Sequence, residues 1–266
     1  MIQTLRNKLL RKFPENSLKC FVIISIPRSG SNYLCGLLNS HPDILCHHEL
    51  FHRDEIYYAL DHRDGGLNLG TKEQRNHKPK RFIQSVWENN FHCSAVGFKI
   101  FPGHNKKALD LLMKSSNIKK IILRRENQLK SYTSNLIAKK TGVYAKHRDS
   151  SLIKNLSKTT IKIDFDDLKK YIASNNIFFS LIRNRLEETQ QKFIEVSYEE
   201  LVGTHKIQVR KSILNYIGLE DFHMLQETHN RQNSRSLSEI IENYDELVGQ
   251  ITGTDLENFL SFDLEF

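Results

Sequence analysis

Cysteine is scarce in this chain, and Cys20, Cys35, Cys46 and Cys93 are scattered without CxxC spacing. Two of them fall inside the apolar pattern of the first strand and helix, so they read as reduced core thiols rather than a disulfide framework. No apolar run approaches the roughly 20 residues of a membrane span. The opening MIQTLRNKLLRKF carries charge but no apolar stretch of signal-peptide character. A soluble, cytoplasmic chain is expected, or a lumenal one if the sequence is cut from a longer anchored protein. No Pro/Gly/Ser-rich linker and no internal repeat divides the 266 residues, which points to one α/β domain over 1–266. There is no DNA- or RNA-reading signature and no alternating aromatic and basic platform. The formal net charge of +8 therefore favours anionic partners as a class, small ligands and acidic membrane surfaces among them, without electing nucleic acid.

What is present is concentrated between Phe21 and Leu38, FVIISIPRSGSNYLCGLL. Phe21, Val22, Ile23 and Ile24 form a continuous run of β-formers, the pattern of a strand covered on both faces. Leu34, Leu37 and Leu38 recur at helical spacing. Between them Arg28, Ser29, Gly30, Ser31 and Asn32 place a cation, small hydroxyls and approachable backbone N–H groups at a helix N-terminus, which is an anion site. A nucleoside-triphosphate loop would read GxxxxGK[ST]. Here no glycine stands at the first position and no Lys precedes Ser31, so kinase and ATPase readings weaken.

A second unit lies at Lys119 to Ala138, KKIILRRENQLKSYTSNLIA. A short buried strand, Ile121 to Leu123, ends in Arg124 and Arg125, and a helix follows with Leu129, Tyr132, Leu136 and Ile137 on one face. Ligands of open α/β sheets bind outside the carboxyl ends of strands, so an Arg there and a Ser on the next helix suit a phosphate. A third segment, KFIEVSYEELV from Lys192 to Val202, reads as a strand ending in a Tyr-Glu-Glu turn into a helix. Further strands and helices, Ala95 to Phe101 and Lys106 to Ser115, complete a βα succession, with a long helix over Asp164 to Gln191. The expected architecture is a small parallel sheet flanked by helices.

PRSGSNYL resembles the 5′-phosphosulfate loop of the sulfotransferases that use 3′-phosphoadenosine-5′-phosphosulfate (PAPS), and the other segments follow in that family's order. The resemblance implies the P-loop-like sulfotransferase fold and PAPS as co-substrate, with no metal required. Arg28, the backbone of Ser29 to Tyr33, and the side chains of Ser31 and Asn32 would then hold the 5′-phosphate. Arg125 with Ser134 would take the 3′-phosphate, one residue further apart than the family's usual spacing. Arg124 stands in reserve, and Thr133 or Ser131 could replace Ser134. Tyr198 would lie against the adenine. His229 to Leu247, HNRQNSRSLSEIIENYDEL, is similar to the family's basic segment and closing helix, with Arg231 and Arg235 as phosphate contacts.

The transfer needs a base. Glu49-Leu50-Phe51 stands where some sugar-modifying bacterial sulfotransferases carry a Glu-x-Phe segment, which makes Glu49 the general base. The Lys-Thr-His-Leu-Pro segment of cytosolic relatives has Phe101 at its His position here, in Lys99-Ile100-Phe101-Pro102, so the usual base is absent and Lys99 alone survives to touch the sulfonate. His47, His48 and His104 are the next bases in line. Two other classes stay open. His48-Glu49-Leu50-Phe51-His52 is a literal HExxH, the pattern of a zinc hydrolase, although Pro42 and Asp43 upstream and the lack of a downstream third ligand argue against it. A non-catalytic nucleotide- or anion-binding protein would keep the donor loop alone. The segments 41–92, His-rich and polar, and 139–163, rich in Lys, Ser and Thr, read as insertions that wall a small-molecule or glycan acceptor. Their hydrophilic content suits a hydroxyl-rich ligand such as a sugar or glycolipid.

Overall fold

In the computed structural model, residues 18–60, 67–144, 159–220, 225–226 and 235–261 are described. Phe21, Val22, Ile23 and Ile24 have no exposed surface, as a strand covered on both faces requires. They belong to β1 (Lys19–Ile24), the middle strand of an all-parallel sheet of order β2-β3-β1-β4-β5. The others are β2 (Ile44–His47), β3 (Ala95–Ile100), β4 (Ile118–Arg124) and β5 (Phe193–Ser197). Parallel neighbours need crossovers. These are α1 (Ser31–Asn39) from β1 to β2, then α2 (Lys72–His77) and α3 (Pro79–Glu88) from β2 to β3, and α4 (Lys106–Lys114) from β3 to β4.

Side-chain alternation sends Phe21 and Ile23 to one face and Val22 and Ile24 to the other. On the first face they join Ile121 and Leu123, Leu34, Leu37 and Leu38 of α1, and Ile213, Leu214 and Ile217 of α8 (Lys206–Ile217) in one core. On the second, Phe98 stacks on Trp87 of α3 at 5.4 Å and meets Phe51 at 5.9 Å. Gly97 on β3 is required by packing: a Cβ there would sit 2.3 Å from the ring of Phe21, its register partner.

The segment 41–92 corrects the sequence reading. It holds more than a polar insertion, because Ile44–His47 adds the edge strand β2 and its four residues are all buried. Four residues flanked by histidines are too short to show a period. None of the four cysteines is in a disulfide: Cys35, Cys46 and Cys93 are buried thiols and Cys20 is half-buried.

By its contacts the chain divides into residues 1–124 with 182–229, which contain the sheet, and residues 125–181 with 230–266. The second unit has its own core. Leu129 and Ile137 of α5 (Gln128–Thr141), Leu168 and Ile172 of α6 (Phe165–Glu188), and Leu247 and Ile251 of α10 (Tyr244–Ile251) are its buried centre, with Leu237 and Ile240 of α9 (Leu237–Ile240). A single parallel bridge joins Ile161 to Ile241. Asn243 secures it, accepting from the Ile163 N–H at 3.0 Å and donating to the Ile163 carbonyl at 2.9 Å. No helix among the described residues is long and apolar enough to cross a membrane.

Candidate active site

The loop between β1 and α1 is built to present backbone. Ser29 is fully buried, and its hydroxyl lies 2.5 Å from that of Ser25 and 2.8 Å from the Ile26 carbonyl. Ser25 in turn donates to the Leu123 carbonyl of β4 at 2.6 Å. The Ser29 side chain is therefore structural, which leaves only its backbone for a ligand. Arg28 adopts φ 67°, a left-handed conformation that a non-glycine residue takes at a cost. Gly30, at φ 86°, is the N-cap of α1 and brings no side chain to cap it. Its hydrogen is essential for a second reason: a Cβ would fall 2.2 Å from Cδ2 of Tyr198. Tyr198 opens α7 (Tyr198–Val202), and its ring stands on the loop's glycine and edge-on to Tyr33 at 6.0 Å. Arg210 of α8 donates to the Tyr33 hydroxyl at 2.7 Å and holds that arrangement from behind.

Lys99 joins this loop to the Glu49 segment. It stands one residue before the end of β3 and is almost fully buried, at 1% exposure. Its Nζ lies 2.5 Å from Asn32 Oδ1, 3.4 Å from Ser31 Oγ and 3.1 Å from Glu49 Oε1, and 5.2 Å from the centre of the Phe101 ring. His48 Nδ1 also reaches Asn32 Oδ1, at 3.1 Å, and an amide oxygen can only accept, so His48 donates from that nitrogen. The other oxygen of Glu49 faces His104 Nε2 at 3.6 Å. His104 Nδ1 accepts the Phe101 N–H at 3.2 Å, which fixes its tautomer with the proton on Nε2, toward Glu49. Behind the carboxylate, the buried Arg75 donates to the carbonyls of Leu50 at 2.9 Å and Glu55 at 3.1 Å, locking the turn that carries Glu49.

Burial pushes the His104 imidazole down to about 4, with Glu49 pulling the other way. An unfolded histidine takes up a proton near pH 6.5, so between about 6.5 and 4 the unfolded chain binds a proton that the folded one refuses. Stability is full above that window and is lost as pH falls through it, by on the order of 2–3 kcal/mol. Urea midpoints from pH 7 to 4.5 should fall more steeply for the wild type than for His104→Gln; parallel slopes would mean that the His104 imidazole is not held away from water.

The HExxH reading fails on geometry. A zinc site needs both histidines on one helix face, but β2 ends at His47, the chain at His48 and Glu49 is not helical, and Leu50 and Phe51 turn. His48 points to Asn32 while His52 Nε2 lies 4.0 Å from Glu49. Among the described residues no three His, Cys, Asp or Glu side chains converge to hold a metal.

The strand-end arginines differ. Arg124 is committed to Glu195 on β5 at 2.6 Å, with Arg183 on the same oxygen at 2.9 Å. That pairing turns the reserve choice for the 3′-phosphate into a sheet-edge ion pair. Arg125 follows it at the start of the second unit, and in α5 Ser134 is half-buried while Ser131 and Thr133 are buried. Arg235 donates to the carbonyls of Thr159 and Glu239. Arg231 lies outside the described residues, as do 61–66 and 145–158 of the expected acceptor segments. Sequence reasoning missed Arg75 and the partnership of His104 with Glu49. The signal for the second was the His three residues after Phe101, across a Pro-Gly turn.

No family model matches the chain. It is 24% identical over 256 residues to nodulation protein H of Rhizobium tropici, covering 91% of this chain and 93% of that protein. To nodulation protein H of Rhizobium meliloti it is 23% identical over 235 residues, covering 85% and 89%. Among solved structures, a sulfotransferase from Alicyclobacillus acidocaldarius is similar at a TM-score of 0.45 and 15% identity, over 91% of this chain and 96% of that one. A mouse sulfotransferase solved with PAP is similar at 0.41 and 11%, over 97% and 93%. With its PRSGS loop folded at the head of α1, its strand-end arginines and its Tyr-Glu-Glu turn in that family's order, and with both sequence relatives aligned over most of their length, the chain is similar to the PAPS-dependent sulfotransferases.

Proposed function

We propose that this protein transfers a sulfonate group from PAPS to a hydroxyl of a carbohydrate or glycolipid, with Glu49 as the general base. The observation that carries the reading is the reach of Lys99: one buried ammonium touches Glu49 and the Asn32 side chain at the head of the phosphate loop. A base and an anion site joined by one cation suit an in-line displacement, in which an oxygen loses its proton as the donor's bridging oxygen gains charge. The helix N-terminus and the backbone from Ser29 to Tyr33 bind and orient the 5′-phosphate. Arg28 and Lys99 meet the charge that builds up on transfer, and stabilisation specific to that moment raises turnover rather than affinity.

Arg125 with Ser134 takes the 3′-phosphate in this reading, Tyr198 lies beside the adenine, and residues of 41–92 and 139–163 wall the acceptor. The hydroxyl-rich acceptor is supported by the His, Arg, Asn and Asp content of those segments. We place the reaction in the cytoplasm, where cysteines that form no disulfide stay reduced. The test is donor binding followed by transfer. PAP at saturation should raise the melting temperature, since a ligand of the native state alone stabilises it by mass action, and labelled PAPS should pass its sulfonate to a member of a glycan, glycolipid and phenol panel. No melting shift with PAP, or label passing to phenols alone, would refute the corresponding half of the reading.

A further inference from the structure

Beside the active-site loops lies a second basic feature that the transfer scheme leaves unused. An open groove of about 640 Å³ runs between α3 and α4, lined by His77, Lys78, Lys80, Arg81, Lys107 and Lys114 over the apolar floor of Pro79 and Leu111. Among the described residues, none of Lys78, Lys80, Arg81, Lys107 and Lys114 pairs with a carboxylate. The groove's one acid, Asp110, is taken by Arg185 at 2.6 Å, which holds its carboxyl below the usual range.

The charges also stand where helix physics disfavours them. Neither α3 nor α4 has an acidic residue in its first turn, and instead Lys80 and Arg81 begin α3 and Lys106 and Lys107 begin α4. Each set of cations meets the positive end of a helix dipole, an arrangement that a bound anion relieves. The groove adjoins the Glu49 side of the site. Asn105, the N-cap of α4, follows His104 and its amide lies 3.5 Å from Asn76 Oδ1, while neighbouring Arg75 holds the Glu49 turn.

We infer that this groove binds negatively charged groups of the acceptor, so that the substrate is an anionic saccharide carrying sulfate, phosphate or carboxylate along its chain. The inference names the substrate class for the sulfonate transfer proposed above and rests on it. Phosphate-like and carboxylate groups share the chemistry that the lysines and Arg81 recognise, and a chain of them spans the groove as a single ion would not.

The experiment uses the full chain with size-defined dextran sulfate and uncharged dextran as probes, titrated over a range of salt. K80E/K107E should lower dextran sulfate affinity by about tenfold or more and flatten its salt dependence, without loss of melting temperature. The control K169E/K170E makes the same charge change on exposed residues of α6, outside both acceptor segments. Equal losses in the two variants would overturn the inference, leaving only net charge. So would a groove variant that loses binding to vesicles of anionic phospholipid but not to dextran sulfate, which would make the groove a membrane contact. Milder K80A/K107A covers the case of a misfolded charge reversal. PAP melting shifts are read on every variant. A wild type without a PAP shift refutes the sulfotransferase reading, whereas intact PAP shifts with unchanged dextran sulfate binding refute the groove alone.

Discussion

Glu49→Gln is expected to lower sulfonate transfer by about 10²–10⁴-fold while leaving PAP affinity unchanged within about twofold. The amide fills the same space but takes up no proton. Its oxygen can still accept from Lys99, which lies 3.1 Å from the native carboxylate. Its NH₂ then faces His104 Nε2–H, and His104 cannot switch tautomer because its Nδ1 already accepts from the Phe101 backbone. A modest loss of melting temperature should accompany the kinetic loss for that reason. Single-turnover transfer and PAP titration of the same preparation separate the two effects. Wild-type transfer would move the base elsewhere, to His47, His48 or His104, and a matching loss of PAP affinity would move Glu49 to the donor side.

Lys99→Met should be the most damaging substitution in the site for stability as well as rate. The methionine fills most of the buried stem but leaves Glu49 and Asn32 facing each other's oxygens without a cation. Removing one partner of a fully buried ion pair costs roughly 3–5 kcal/mol. Glu49 is 22% exposed and keeps some solvation, so about 2–3 kcal/mol is expected. In a chain of this size that is a fall of several degrees in melting temperature, on the scale of about 2–4 °C per kcal/mol. Adding Glu49→Gln to Lys99→Met should recover part of the stability and none of the activity, since it removes the stranded charge and the base together. Additive losses would mean that Lys99 and Glu49 do not interact in solution.

The donor loop was legible in the sequence because strand, glycine turn and helix each leave a strong local signal over PRSGSNYL. The parallel sheet followed from the same runs at Ala95, Ile121 and Phe193. What stayed hidden was tertiary. The sequence reading puts Ser29 at the phosphate through its backbone alone, and nothing in it signals that the hydroxyl is consumed by Ser25 and Ile26. Arg124 and Arg125 are equivalent as letters, and only the neighbouring strand tells them apart, where Glu195, in register with Ile122, reaches Arg124. The same holds for HExxH, whose meaning depends on whether five residues are helical. β2 ends just before that run, and the non-helical turn that follows keeps the two histidines off a common helix face. Arg75, far along the chain from Leu50, gives no sequence signal of the clamp it forms.

The strand order carries a consequence for synthesis. β1 leaves the ribosome first among the strands, yet its two partners are β3 and β4, whose residues extend to Arg124. Until residue 100 a growing chain holds FVII with both backbone edges unpaired, and until residue 124 with one of them, and no hairpin or local contact can shelter it. Fragments that stop between β2 and β4 should therefore aggregate rather than fold, and the protein's dependence on chaperones should be set by the time the ribosome takes to travel from residue 24 to residue 124.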